Sequence, residues 1–262
     1  MKSIPLTTDG QDASAPPADA VPRDELLRRL DEGAPVALIH GPSGSGKTTL
    51  ASHWARRRRE QGVLVTWIDA SEATGPDLAR RLPAGRPDIP GPERAIVIDD
   101  AQELTDPALL SAAARLPGLR LLVCSTTPEA AAALREAHPT VITGRDLAAT
   151  PPQLGAFARS WGHRLSQGLG DALHAQCGGH LGVLRCALDH AGTDGDPHGL
   201  RAAGDYLRCR VLAGIPGDRL AAMGALALAG RVDDDLLHAL FDPPIAPELP
   251  GPAGVRRLRA DL

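Results

Sequence analysis

Residues 41–48 read Gly41-Pro42-Ser43-Gly44-Ser45-Gly46-Lys47-Thr48, a complete G-x-x-x-x-G-K-[ST] run. That pattern works only between a buried strand and a helix, so it constrains the fold as well as the chemistry. The residues before it, Val36-Ala37-Leu38-Ile39-His40, are apolar and partly β-branched, as a buried strand requires. The residues after it, Thr48 to Ala55, contain no breaker and keep Leu50, Trp54 and Ala55 near one helical face. Glycines let such a loop turn tightly and bring successive N–H groups onto one concave surface at the positive end of the helix. Gly41 to Thr49 are therefore expected to hold a nucleotide. Lys47 should reach the β- and γ-phosphates, and the Thr48 hydroxyl should ligate Mg2+. A plain β–α turn would need neither the lysine nor the hydroxyl.

The acid partner of such a loop must stand at the end of another strand. Ala95-Ile96-Val97-Ile98-Asp99-Asp100 is an unbroken apolar run ending in two carboxylates. Alone, the pair could be a loop start or a helix cap. Downstream of a phosphate loop, Asp99 is expected to hold Mg2+ and Asp100 to orient or deprotonate the attacking water. Leu119 to Cys124 forms a further strand ending in Ser125-Thr126-Thr127. Those hydroxyls could sense a γ-phosphate, and an ordinary strand-end turn explains them almost as well. Gln102 and Glu103 could contact the same water, or lie on the surface of a helix.

The remaining segments alternate. Residues 1–20 are polar and rich in Ala, Pro and Asp, and read as a disordered tail. Pro22 to Asp31 predict a helix with Leu26, Leu27 and Leu30 on one stripe. Val63 to Ile68 predict a strand leaving the sheet at Asp69, Pro76 to Leu82 a short helix, and residues 83–94 a loop. Helices are expected over Asp106 to Arg115, with Asp106 as a cap, and over Glu129 to Ala137. Thr140-Val141-Ile142 predicts a last short strand. Near-continuously apolar strands alternating with helices argue an α/β fold, a parallel sheet covered on both faces. After Thr150 no strand is evident. Helices are expected over Pro152 to Trp161, Gly170 to Gln176, Leu181 to Ala191, Arg201 to Leu212 and Asp218 to Ala229. The division expected is a tail (1–20), a nucleotide-binding core (21–147), a helical part (148–212) and a last segment (213–262).

Composition narrows the function classes. A net charge of −4 gives no general electrostatic case for nucleic acid. The basic run Arg56 to Arg59 closes the helix after the loop and reads as a solvated helix end. With six aromatics in 262 residues, the core must be built from Ala, Leu and Val. The four cysteines, Cys124, Cys177, Cys186 and Cys209, show neither zinc-finger nor disulfide-framework spacing. No apolar stretch reaches membrane-spanning length and no signal-peptide core opens the chain, so the cytoplasm is the default and no membrane partner is expected.

Taken in order, these segments resemble the STAND class of P-loop ATPases, most of all the ATPase module of the large LuxR-type, maltose-regulator-like transcriptional activators. The residues that carry the resemblance are Pro22-Arg23 before a leucine helix, Lys47-Thr48-Thr49-Leu50 with Trp54, Val65 to Asp69, and Ile96 to Ala101. Asp146-Leu147, Thr150-Pro151 and Cys177-Gly178-Gly179-His180-Leu181 follow, and residues 215–242 look like the start of a winged helix. The resemblance implies a P-loop core, an all-helical lid and a winged-helix-like segment. It also implies ATP/ADP with Mg2+ as ligands, slow hydrolysis, and self-association or a regulatory protein partner. Two departures stand out. The family's Gly-x-Pro turn is replaced by Gly179-His180-Leu181, and its sensor-strand arginine by Thr126-Thr127, leaving Arg145 and Arg185 as candidate arginines. Such regulators are far longer, so a fragment or a reduced form is expected, and no DNA-binding residues are carried over. Two other classes fit the same loop: a small-molecule P-loop phosphotransferase, against which stands the lack of an arginine-rich lid, and an AAA-like DNA-associated ATPase, against which stands the charge.

Overall fold

The computed structural model describes residues 15–72, 93–190, 197–212 and 217. Five strands, β1 (Val36–His40), β2 (Leu64–Asp69), β3 (Arg94–Asp99), β4 (Leu119–Ser125) and β5 (Thr140–Thr143), form one sheet in the order β2-β3-β4-β1-β5. Every pairing is parallel. Each strand therefore needs a crossover, and helices α1 (Asp24–Glu32), α2 (Lys47–Glu60), α3 (Ala108–Ala114) and α4 (Glu129–Leu134) cover the sheet.

Period-two alternation divides the strand residues between two core layers. Ala37, Ile39, Val97, Leu122 and Cys124 face Leu26, Leu27 and Leu30 of α1 and Leu50 and Trp54 of α2. Val36, Leu38, Ile96, Ile98, Leu121 and Val123 face Leu110 of α3 and Leu134 of α4. Leu38, Ile39, Ile98 and Leu122 are wholly buried, each contributing about 1.5–3 kcal/mol of transfer free energy. The α/β architecture expected above is the one observed. The expected helix over Pro76 to Leu82, the loop 83–94 up to residue 92, the helix over Asp218 to Ala229 and the winged-helix resemblance lie outside the described residues.

Beyond β5 the elements among the described residues are helical: α5 (Gly144–Leu147), α6 (Pro151–Ser160), α7 (Gln167–Cys177), α8 (Leu181–His190) and α9 (Pro197–Tyr206), with a π-helical turn at Leu207–Val211. Reciprocal side-chain and backbone bonds start two of them, Thr143 with Asp146 at α5 and Thr150 with Gln153 at α6. Helix α9 begins four residues before the expected Arg201. The change of composition near residue 147 falls inside one compact unit that runs to Ala203; a second unit begins at Gly204.

Two expectations are revised. Residues 15–20, assigned to the disordered tail, pack against the helical part, where Asp19 pairs with Arg185 of α8 at 2.7 Å. Nor is the basic run of α2 fully solvated. Arg58 is buried, lies 5.9 Å from the Trp54 ring and bonds Gln61 and Glu93, while Arg57 pairs with Asp31 of α1 at 3.1 Å. These arginines tie α1 and the start of β3 to α2.

Candidate nucleotide site

Outside the C-terminal ends of β1 and β4 the connections diverge: β1 sends the chain to the far edge of the sheet, and β4 sends it back across to β5. Crevices at such reversals are where open α/β sheets hold ligands. The loop 41–46 lies there. The Gly41 N–H donates to Ser125 O at 3.2 Å, joining the loop to β4, and the Ser45 N–H donates to Pro42 O at 3.2 Å. Gly46, with φ 97°, caps α2 in the left-handed region, where any side chain is strained. Lys47 begins α2 and is buried, its Nζ donating to Pro42 O at 3.0 Å. Burial pulls its pKa down, against the opposing fields of Cys124, Asp100 and Asp99. An ammonium group satisfied by one carbonyl retains two further donors for phosphate oxygens.

Asp99 ends β3 and is buried; its Oδ1 accepts from Thr48 Oγ1 at 3.3 Å. Burial raises its pKa, and the Thr48 hydrogen bond only partly offsets that. A buried carboxylate beside a hydroxyl fits Mg2+, which binds one or two protein oxygens together with phosphates and water. Among the described residues no cluster of three or more His, Cys, Asp or Glu side chains could hold a metal by itself, so phosphate oxygens would have to complete the shell.

Asp100 adopts φ 51°, ψ 42°, a left-handed conformation that a non-glycine residue holds at a cost of roughly 1–2 kcal/mol. Gln102 Nε2 donates to Asp100 Oδ1 at 2.9 Å, and Gln102 Oε1 accepts from the Thr126 N–H at 3.1 Å. Gln102 thus couples the end of β4 to Asp100. Glu103 is exposed. Of the three hydroxyls after β4, that of Ser125 is used within its own turn, donating to Thr127 O and accepting from the Thr127 N–H, both at 3.1 Å.

The helical part rests directly on the loop. His180 Nε2 bonds Ser43 O at 3.0 Å, the Gly182 N–H donates to Gly44 O at 2.9 Å, and a Cβ on Gly46 would come within 3.2 Å of Leu181 Cδ1. The Val183 N–H donates to His180 Nδ1 at 3.2 Å. Nδ1 is therefore an acceptor, and Nε2 carries the proton given to Ser43. Burial lowers the His180 pKa, which favours this neutral form. Gly179, with φ 81°, approaches the link between α5 and α6 so closely that a Cβ would sit 2.2 Å from Ala149 O. The turn that holds Gly179-His180-Leu181 thus meets the loop through hydrogen bonds from His180 and Gly182.

A cleft of about 170 Å3 runs beside Gly44, Ser45 and Gly46. Leu50 and His53 of α2, Phe157 and Trp161 of the helical part, and Val21 and Arg23 of the N-terminal lead are among its walls. Arg23 donates to Leu147 O at 2.8 Å and Asp146 O at 2.9 Å, and lies 5.9 Å from the Phe157 ring. Arg185 stands at the cleft, paired with Asp19 and 5.4 Å from the Trp161 ring; Arg145 is exposed on α5. Asp19 and His53 carry no motif that would have assigned them to the site, and Arg23 is marked in the sequence only as part of Pro22-Arg23, without a site role. Only folding brings the N-terminal lead, α2 and α6 together.

No protein-family profile matches the chain. A Walker-type ATPase of Pyrococcus abyssi superposes with a TM-score of 0.52 at 15% identity, covering 86% of this chain and 80% of that one. A STAND protein with a tetratricopeptide repeat sensor from Pyrococcus horikoshii gives 0.50 at 14% identity, over 82% of this chain and 36% of that one. By sequence, the RecA protein of Geobacter metallireducens is 35% identical over 79 residues, 28% of this chain and 23% of the relative. RecA of a Nocardioides species is 45% identical over 47 residues, 18% of this chain and 13% of the relative. The matches thus span less than a quarter of those relatives' own length. Fold and loop together define a P-loop NTPase-like α/β protein, with the parallel order β2-β3-β4-β1-β5 followed by helices.

Proposed function

We propose that the chain is an ATP-binding, Mg2+-dependent nucleotide switch of the STAND type. It would serve as the ATPase module of a signalling protein or a LuxR-type, maltose-regulator-like transcriptional regulator, with slow hydrolysis. The observation that carries this reading is the helical part bonded to the phosphate loop itself through His180 and Gly182. A switch needs an element whose placement depends on what the loop holds, with different nucleotide affinity in each arrangement.

In this reading the loop amides and Lys47 bind the β- and γ-phosphates, Lys47 exchanging the Pro42 carbonyl for phosphate oxygens. Thr48 and Asp99 would hold Mg2+, which neutralises phosphate charge when bound. The Asp100 carboxylate would orient the attacking water and accept its proton. Gln102 occupies one oxygen of Asp100, and β4 is followed by Thr126-Thr127 rather than an arginine; both features support slow turnover. The aromatic-walled cleft beside Gly46 would take the nucleoside. Self-association or a protein partner would read the two arrangements.

Equilibrium binding of ATP and ADP to the purified chain and to Lys47→Ala tests this. Micromolar or tighter binding by the unaltered chain, weakened in the variant, is the expected result. Absence of binding to the folded, unaltered chain sinks the reading, and rapid phosphoryl transfer to a small acceptor would replace the switch with a kinase.

A further inference from the structure

His53 has no role in the phosphate chemistry, yet it is only 5% exposed and its Nε2 has no hydrogen-bond partner among the described residues. Leaving a buried polar nitrogen unpaired costs stability. The side chain lines the cleft beside the loop, among Leu50, Leu147, Phe157 and Leu181. A water molecule needs roughly 10–15 Å3 by this measure, so a cleft of about 170 Å3 has room for a ring system. The walls are largely apolar, and of the polar groups there Arg23 is bonded to Leu147 O and Arg185 is paired with Asp19, whereas His53 Nε2 is uncommitted among the described residues. That arrangement suits a heteroaromatic ring with a polar edge. The distance also fits. His53 lies six residues after Lys47 on α2, about 9 Å further along the axis at about 1.5 Å per residue. A nucleoside linked to phosphates at Lys47 spans a gap of that order.

We infer that His53 hydrogen-bonds the edge of a purine base through Nε2 and is the residue that sets base selectivity at this site. The inference rests on the nucleotide reading above and deepens it. Burial, with Arg56 nearby, lowers the His53 pKa against the pull of Asp24, so the ring is held neutral. A neutral imidazole can either donate to a purine ring nitrogen or accept from an exocyclic amino group. Bare polyphosphate offers His53 nothing, since it does not extend along α2.

The test measures binding of ATP, GTP, CTP and inorganic tripolyphosphate, each with Mg2+, to the unaltered chain, His53→Phe and His53→Gln. Phenylalanine keeps the ring and removes the hydrogen bond; glutamine restores a polar end. The expected results are that ATP binds the unaltered chain more tightly than tripolyphosphate and CTP, and that His53→Phe weakens ATP by about 10-fold while leaving tripolyphosphate unchanged. His53→Gln should recover most of that loss. Unchanged ATP affinity in His53→Phe overturns the inference, and so does an equal loss for tripolyphosphate, which would mean a damaged loop. If the unaltered chain binds tripolyphosphate as tightly as ATP, the phosphate site stands and the role of His53 falls. If it binds neither, the nucleotide reading falls and takes this inference with it.

Discussion

Lys47 and Asp99 are both buried, and burial pushes each toward its neutral form. A bound triphosphate with Mg2+ would relieve both, which makes them costly to lose. Lys47→Ala should weaken ATP binding by roughly 100-fold, measurable by calorimetry. Asp100→Asn keeps the shape but removes the carboxylate proposed to accept the proton of water. Its ATP affinity should stay within about 2-fold of the unaltered chain while any turnover falls by about 100-fold, read by phosphate release. Normal turnover in that variant would remove Asp100 from the chemistry. A different carboxylate contributes to the acid sensitivity of the fold. Burial alone would raise the Asp146 pKa, but hydrogen bonds from Arg29 and Thr143 outweigh it and hold the group at about 2. A depressed carboxylate stabilises the fold above its ordinary value near 3.8 and loses that contribution as pH falls toward 2. Arg29→Met should therefore flatten the loss of stability between pH 4 and 2 in urea titrations. A slope equal to that of the unaltered chain would count against the Arg29–Asp146 pair, which lies at 2.6 Å.

The strands could be read from sequence because parallel strands buried on both faces are unbroken apolar runs, and β1, β3 and β4 appear within a residue of their expected ends. The placing of Lys47 and Thr48 at the start of α2 and of Asp99 at the end of β3 was legible because a strand–loop–helix pattern and an apolar strand ending in carboxylates are both local. The docking of α8 was not, since His180 meets Ser43 across 137 residues and no local pattern encodes that contact. His53 reads as one more polar residue on a helix until α6 and the N-terminal lead close over it. The turn at the start of α8 shows how backbone shape decides such contacts. Gly178 has φ 56° with nothing within 4 Å of an added Cβ, whereas Gly179 would meet Ala149 O at 2.2 Å. Gly178→Ala should cost about 1–2 kcal/mol, a conformational penalty alone. Gly179→Ala should cost more, roughly 3 kcal/mol or beyond, because backbone must also move. Thermal denaturation of the two variants checks the order.

Ligand binding should register throughout the compact unit that ends at Ala203, because the phosphate loop is bonded to both β4 and α8. At 100 times its dissociation constant, ATP with Mg2+ should add about 2.7 kcal/mol of stability, a rise of several degrees in melting temperature that Lys47→Ala, binding about 100-fold more weakly, should cut to about 0.4 kcal/mol at the same ATP concentration. The bond from His180 to Ser43 O has a further consequence. It polarises the Ser43–Gly44 peptide, whose amide would belong to the proposed phosphate cradle, and a polarised amide donates more strongly. Lid and anion are then reciprocal effectors: whatever factor α8 adds to phosphate affinity, phosphate must add to the docking of α8. Amide exchange would make that symmetry visible. Tripolyphosphate should slow deuterium uptake at Gly182, and His180→Ala should speed it while weakening tripolyphosphate by a matching factor.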